Sequence, residues 1–575
     1  MSSVKNSPKR PRIPNGDASP TQPAAVDGRA GRSGGPRVSR TLLYGLAGSG
    51  LLWAAQPPLN AWPLAWLAPI PWLILVRHRS LTGRRPYVAL WLAGCCFWLA
   101  ALHWLRLPHP ATSLGWVALS LYLGIYLPLF VGLSRVAVHR WRCPVALAAP
   151  VVWVGLELAQ ARLLSGFSMA GLAHTQHRWL ELIQISDLAG AYAVSFVLMC
   201  SAACLARIVP LDDAVGGLAR RWSAAALWPL LPLAVVLGSA LAYGHLRLRD
   251  DRTRPGPKVA LIQGSIDTEM KHDPTEHQRI HDQYFELSRR AGRQHPDLDL
   301  IVWPETMFRD PFIVAGPDAR LPAEWTGSRE SFDRLVAQRQ ALIESQALLL
   351  GAPLLLGLDT LHFDSDAARR YNSALFIDRG GRLGPRYDKM HRVMFGEFVP
   401  LANHFPWLYK LTPLGGGLDA GGQPEAFDLG STRLAANICF ESTVPHFIRS
   451  QVAMLARRGQ EPDVLVNLTN DGWFWGSSEL DQHLACAVFR AVECRKPFLI
   501  AANTGFSAWI DADGRILRRG PRRDTGIIVA DVRLDGRSSR YLHWGDWPAA
   551  ACLAACLGLL VSGLVDRRRT ALPAS

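Results

Sequence analysis

The sequence predicts a polytopic α-helical membrane domain of about eight spans, with a water-soluble α/β domain inserted before the last of them. Three observations carry that expectation. Long apolar runs fill residues 41–247 and return at 547–565, while residues 257–540 carry short β-rich runs separated by polar, helical stretches. Basic residues also gather in alternate loops between the apolar runs. At 575 residues the chain is too long for one compact domain, which fits a two-part architecture.

Residues 1–40 are rich in Pro, Ser, Gly, Lys and Arg with almost no large apolar side chains, the composition of a disordered tail. Thr41 to Ala55 ends in small residues, as a cleaved signal peptide would. However, Gln56-Pro57-Pro58 leads directly into another apolar run, which favours a first span. Because about 20 apolar residues cross the hydrocarbon core, spans are expected at 41–57, 60–77, 87–105, 113–136, 144–162, 182–207 and 223–244, with another at 547–565.

Loop charge gives the orientation. Arg77, Arg79, Arg84 and Arg85 follow the second span; Arg135, Arg140 and Arg142 follow the fourth; Arg207, Arg220 and Arg221 follow the sixth. The loops after the first, third and fifth hold zero, one and two Lys or Arg. The even loops and both termini, including a tail at 566–575, are therefore expected to be cytoplasmic, and residues 257–540 to lie outside the cytoplasm. The net charge of +15 is thus a membrane signature and not a nucleic-acid one, and the 21 Trp suit interfacial belts. Arg247 to Lys258 is a basic exception on the outer side, expected as a linker meeting anionic headgroups.

In the soluble part, KVALIQG, LDLIVWPE, ALLLGAPLLLG, NSALFID, LAANICF, DVLVNLT, PFLIAAN, FSAWID and GIIVADV read as strands, several of them continuously apolar, as in strands covered on both faces. Helices are expected at Thr275–Arg293, Ser331–Ser345 and Glu479–Arg495, and Asp511-Ala512-Asp513-Gly514 marks a hairpin turn. Seven of the ten cysteines fall in or beside apolar runs, so no disulfide framework is expected.

Three runs deliver chemistry at their ends: LDLIVWPE ends at Glu305, RYDKMHRVMFGEFVP carries Lys389 and Glu397, and LAANICFE carries Cys439 and Glu441. A carboxylate, an ammonium and a thiol are a base, an oxyanion clamp and a nucleophile, the parts that move an acyl group through a thioester. Taken singly, each also fits an ordinary role: a glutamate at a strand end, a solvated lysine, a buried inert cysteine. Glu397 and Glu441 fit either supporting carboxylates or ion-pair partners. Cys486 and Cys494, eight residues apart on one expected helix, read as inert core thiols. Glu157 and Asp187 lie in apolar runs near the expected outer side, where they fit a structural role or contact with the ammonium of an aminophospholipid.

The ordered set WPE, YDKMHRVMFGEFVP, NICFE and NLTNDGWF resembles the nitrilase, or carbon–nitrogen hydrolase, superfamily over roughly residues 257–535. With apolar spans on both sides and SGFSMAGLAHTQ at 165–176, the whole chain resembles the apolipoprotein N-acyltransferase family. The resemblance implies an α-β-β-α sandwich for the inserted domain and a catalytic Glu305–Lys389–Cys439 triad. Glu397 and Glu441 would support the triad, and Trp473 would lie near the acyl site. Phe440 stands where that family often has Tyr, and His272 where Trp is common.

The implied reaction transfers an acyl chain from a phospholipid, phosphatidylethanolamine, to the amine of a diacylglyceryl apolipoprotein in the bacterial inner membrane. Neither cofactor nor metal is implied; the protein is expected to be a monomer, and nucleic acid is excluded as a partner. The competing expectation is a membrane-tethered amidase with water as acceptor.

Overall fold

The computed structural model describes residues 39–209, 227–322, 325–402, 404–411 and 417–571. The expected tail up to Val38, the arginines Arg220 and Arg221, and the side chains of His272 and of residues 566–575 lie outside the described residues.

All eight apolar stretches contain helix: Arg40–Ala55, Ile70–Arg77, Pro86–Ala101, Thr112–Gly124 continuing through Tyr126–Arg135, Val145–Arg162, Ala191–Ile208, Leu230–Arg249 and Trp547–Ala571. Among the described residues five are long and apolar enough to cross a membrane, at Thr112–Arg140, Val145–Ser165, Ala191–Ile208, Leu230–Arg249 and Trp547–Val565; Trp62–Arg77 and Pro86–Ala101 are shorter apolar helices. Small residues set the closest approaches. A Cβ on Gly155 would lie 2.7 Å from the carbonyl oxygen of Cys552, so the last helix packs backbone to backbone on Val145–Arg162.

The sixth stretch is shorter than its expected start at residue 182. Leu180–Ile183 and Ser186–Ala189 are separate helical turns, and the helix opens only after Gly190, whose φ of 71° favours glycine.

Thirteen strands among the described residues build the soluble part: β1 (Thr253–Gln263), β2 (Leu300–Val302), β3 (Phe308–Ala315), β4 (Leu354–Phe363), β5 (Ala368–Ile377), β6 (Leu383–Asp388), β7 (Ala426–Leu429), β8 (Thr432–Ile438), β9 (Val464–Thr469), β10 (Phe498–Ala502), β11 (Ala508–Ile510), β12 (Ile516–Arg519) and β13 (Gly526–Asp535). One seven-stranded sheet runs β13-β1-β2-β4-β5-β6, with β3 also paired to β4; a six-stranded sheet runs β12-β11-β10-β9-β8-β7. β1 and β2 are parallel, as are β2 and β4, and β8, β9 and β10 form a second parallel set.

The sheets face each other across Val259, Leu261, Val302 and Phe376 on one side and Leu434, Ala436, Val466 and Leu499 on the other. Helices His277–Gln294 and Arg329–Leu350 cover the outer face of the first sheet through Ile280, Tyr284, Ile343 and Ala347. Helices Pro445–Arg457 and Glu479–Cys494 cover the second. This is the expected α-β-β-α sandwich.

ALLLGAPLLLG is only half a strand. Its first half completes the helix to Leu350, which Gly351 ends at φ 66°, and β4 starts at Leu354. The strands the sequence did not signal, β3, β6, β7 and β12, lie at sheet edges or off the main path, and carry charges or proline where an interior strand would be apolar.

The helix layer over the second sheet shares one continuous apolar core with the membrane-type helices. Polar ties reinforce it. Asp187, 1% exposed, accepts hydrogen bonds from Arg495 Nε at 2.8 Å and Arg247 Nε at 2.9 Å, and from the Tyr243 hydroxyl at 2.7 Å. Asp187 is therefore structural, as one of its two readings held, and it does not face a lipid amine. Arg247 joins this pair, Arg254 pairs with Asp463 and Lys258 with Asp297, so the expected linker is also stitched to the protein.

Candidate active site

The carboxyl ends of β2, β6, β8 and β9 converge, and each delivers one part of the site. Cys439 follows β8 directly and opens a single helical turn, Cys439–Thr443, with φ 52°. A left-handed conformation is costly for a residue with a Cβ, and such strain concentrates where a side chain must be aimed. Thr306, next to Glu305, has the same φ of 52°.

Glu305 is buried, and both of its oxygens accept hydrogen bonds. Oε1 accepts from Asn372 Nδ2 at 2.7 Å and from Lys389 Nζ at 3.3 Å, and Oε2 accepts from the backbone N–H of Asn470 at 3.0 Å. Lys389, 1% exposed, sits closer to Glu397, with Nζ to Oε1 at 2.7 Å. Glu397 Oε2 accepts from the backbone of Val393 at 2.8 Å, so the same carboxylate shapes the loop and holds the ammonium. Burial works against the Lys389 ammonium, but Glu397 and then Glu305 outweigh it and hold its pKa well above the ordinary lysine range.

The Cys439 thiol is pushed well above its ordinary pKa, first by burial and then by the Glu305 charge, with Lys389 opposing. It therefore rests as a thiol at neutral pH, with the Glu305 carboxylate close enough to raise its pKa.

Glu441 is the part that binds the pieces together. It accepts from the Tyr387 hydroxyl at 2.8 Å, from the backbone N–H groups of Met390 and His391 at 2.8 Å each, and from that of Ile438 at 2.7 Å. One buried carboxylate thus fixes the Lys389 loop to the residue before the nucleophile. Burial raises its pKa to about 7, against those hydrogen bonds. Trp473 lies half-buried in the turn Asp471–Phe474 that follows β9, three residues past Asn470. Phe440 stacks on the His391 ring with centroids 6.0 Å apart, an apolar contact at the position where a hydroxyl was expected.

Cys486 and Cys494 are core residues of helix Glu479–Cys494, and burial pushes each thiol up to about 12. All ten cysteines are free.

The structure adds groups that the sequence did not mark. Lys271 is buried, donates to the Thr306 hydroxyl, and has its pKa lowered to about 8 by burial, with Glu305 opposing. A lone lysine in QGSIDTEMKHD gives no signal of that kind. A second group closes a ring around the nucleophile. Ser442 Oγ donates to the Cys439 carbonyl at 3.0 Å and contacts His483 Nε2 at 2.7 Å; His483 Nδ1 lies 3.3 Å from Asp471 Oδ1, which accepts from Thr469 Oγ1 at 2.7 Å. Asp471, Glu479 and His483 also place donor atoms within 4.8 Å of one another, the group among the described residues best placed for a metal ion. The acyl chemistry argued from the triad draws on none.

Residues 48–204 match the apolipoprotein N-acyltransferase N-terminal domain family, and residues 258–540 match the carbon-nitrogen hydrolase family. The chain is 33% identical to an apolipoprotein N-acyltransferase of Rhodopirellula baltica, over 90% of this chain and 97% of that one. It is 33% identical to one from Geobacter metallireducens, over 91% and 95% of the two chains. A third, from Chlorobaculum tepidum, is 28% identical over 92% and 96%.

Proposed function

We propose, from the premise that the chain belongs to the apolipoprotein N-acyltransferase family, that it moves an acyl chain from phosphatidylethanolamine to a diacylglyceryl apolipoprotein through a thioester on Cys439. The observation that carries this reading is the meeting of Glu305, Lys389 and Cys439 at strand ends, with Glu397 and Glu441 holding the loops that bear them.

In the first half-reaction Glu305 takes the thiol proton as sulfur attacks the ester carbonyl, and Lys389 holds the oxyanion. A preorganised donor in that place is worth about 10²–10³ in rate. The C–O bond then breaks, the proton passes from Glu305 to the leaving alkoxide, and lysophospholipid departs. In the second half, the N-terminal cysteine amine of the acceptor attacks the thioester, and Glu305 relays its proton to the departing thiolate.

The exposed Phe395, Leu401, Phe405 and Trp407 follow Lys389 on one loop and give an acyl chain an apolar rim beside the site. All eight helical stretches are read as spans of the bacterial inner membrane, bounding domains at 41–247, 257–540 and 547–565. The catalytic part faces the periplasm, the side consistent with the loop charges.

Phospholipid alone should release a burst of about one equivalent of lysophospholipid per enzyme and then stall, because an acyltransferase must keep water from its thioester. Peptide mapping should place the acyl group on Cys439. Adding a diacylglyceryl-cysteine peptide with a free amine should restart turnover. Steady release of fatty acid without peptide, or an adduct on Cys486, would refute the assignment.

A further inference from the structure

A cavity lies among the helices beneath the catalytic turn, walled by aromatic side chains such as Trp72, Phe97 and Phe167. Pro445, two residues beyond the Cys439–Thr443 turn, lines it, as does Ser168, whose hydroxyl donates to the Thr443 carbonyl at 2.6 Å. The cavity therefore reaches the backbone that carries the nucleophile.

Its polar lining is unusual in two ways. Glu157 accepts hydrogen bonds from Trp153 Nε1 at 2.8 Å and from Ser195 Oγ at 2.9 Å, both neutral donors, and among the described residues no salt bridge reaches it. Three further cavity residues, Ser49, His174 and Tyr192, are at least nine-tenths buried, and Ser49 Oγ, His174 Nε2 and the Tyr192 hydroxyl have no hydrogen-bond partner among the described residues. A glutamate without a counter-charge and two orphaned hydroxyls around one apolar cavity are the lining of a site for a polar, cationic group, and the His174 Nε2–H, whose ring accepts from Gly171 N–H through Nδ1, is left to face a polar acceptor on the same ligand.

We propose that this cavity binds a primary ammonium carried on a lipid-anchored substrate, with Glu157 as its counter-ion and the Ser49 and Tyr192 hydroxyl oxygens as its hydrogen-bond acceptors. The inference rests on the acyl-transfer reading and extends it to substrate recognition. The ammonium belongs either to the headgroup of an aminophospholipid donor or to the amine of the lipidated acceptor.

The test uses the full chain in nanodiscs of matched phosphatidylethanolamine or phosphatidylglycerol content. Acylation of Cys439 is measured first, then transfer from the acyl-enzyme to a diacylglyceryl-cysteine peptide. If the donor headgroup is the ligand, wild type should favour phosphatidylethanolamine. Glu157→Gln should then erase the preference by raising the apparent KM for that lipid about tenfold or more, the loss of one charge-assisted hydrogen bond. If the acceptor amine is the ligand, the same variant should spare the first step and raise the KM for the peptide instead.

Tyr192→Phe removes an unpartnered hydroxyl, so a packing role predicts equal or higher stability and an unchanged KM, whereas the proposed contact predicts a rise of about threefold. The Tyr192→Phe arm decides the matter if Glu157→Gln fails to fold. Folded variants that match wild type in both half-reactions overturn the proposal and leave the triad chemistry standing. A wild-type enzyme acylated by neither lipid overturns the transfer reading itself.

Discussion

Glu397→Gln isolates a carboxylate that touches neither the nucleophile nor, in the proposed reaction, the substrate. In the resting site the Lys389 ammonium lies 2.7 Å from Glu397 and 3.3 Å from Glu305, so Glu397 holds the cation partly away from the base. Neutralising Glu397 leaves Glu305 as the nearest carboxylate, and the ammonium should close on it. An opposite charge at that range lowers a carboxylate's pKa by about one to three. If about half of that change is felt in the proton transfer, the base slows by roughly 3- to 30-fold. Drawing Lys389 off the oxyanion adds up to about 10²–10³, the worth of one preorganised donor.

The lysophospholipid burst should therefore keep its amplitude while its rate falls by at least about threefold and by up to roughly 10⁴-fold. Rapid-quench measurement of the burst at saturating phospholipid reads the rate directly, and a melting curve checks that the loop, still anchored through Val393, remains folded. A variant that acylates within threefold of wild type would show that the Glu397–Lys389 contact has no bearing on the base.

The remaining predictions concern charge and placement. Lys271 loses its proton near pH 8, so if its cation favours the oxyanion, the acylation rate should fall as pH rises through about 8. Lys271→Met should be slower below pH 8 and lack that limb in its pH–rate profile, and an unchanged limb would assign it to another group. Asp187→Asn takes from the fully buried Arg495 its closer acidic partner and leaves only Asp513 at 3.3 Å, and should cost up to about 3–5 kcal/mol in denaturant or thermal unfolding. A loss under 1 kcal/mol would mean that the tie between the two parts of the chain lies elsewhere. Reporter fusions after Thr82 and Thr570 should read cytoplasmic and one after Trp325 external; a cytoplasmic reading at Trp325 would refute the orientation.

Legibility in the sequence followed burial. Strands in the middle of each sheet, such as β8 and β9, are covered on both faces and wrote continuous apolar runs. The edge strands β6, β7 and β12 have fewer neighbours to satisfy, so LGPRYD, AFDL and ILRR carry turn-like and charged residues instead. The triad was legible because each member ends one of the apolar runs, or stands in the motif that follows it, and because the motifs come in a fixed order.

Lys271, His483 and the orphaned polar atoms of the cavity were not legible, for a common reason. Their meaning lies in what they face: Thr306 and Glu305 for Lys271, Ser442 and Asp471 for His483, and an apolar void for Tyr192. None of these partners stands at a helical or strand spacing from the residue it completes, so no periodicity could report them.

In the proposed reaction the triad end of the sandwich sets the acyl chemistry, and a thioester there is activated towards any nucleophile that arrives. What arrives is decided by the surroundings. Here the helix layer over the second sheet is not solvated but shares its core with the membrane-type helices, through Leu484, Val488 and Val492 on one side and Leu182, Ile183 and Leu172 on the other. The nucleophile turn is pinned to that junction by Ser168, and the base by the turn whose Phe474 packs edge-on against Trp104 at 4.8 Å. Under the proposed function, a site built into such a junction should admit lipid-borne substrates more readily than bulk water, so that the choice of acceptor follows from where the sandwich is docked.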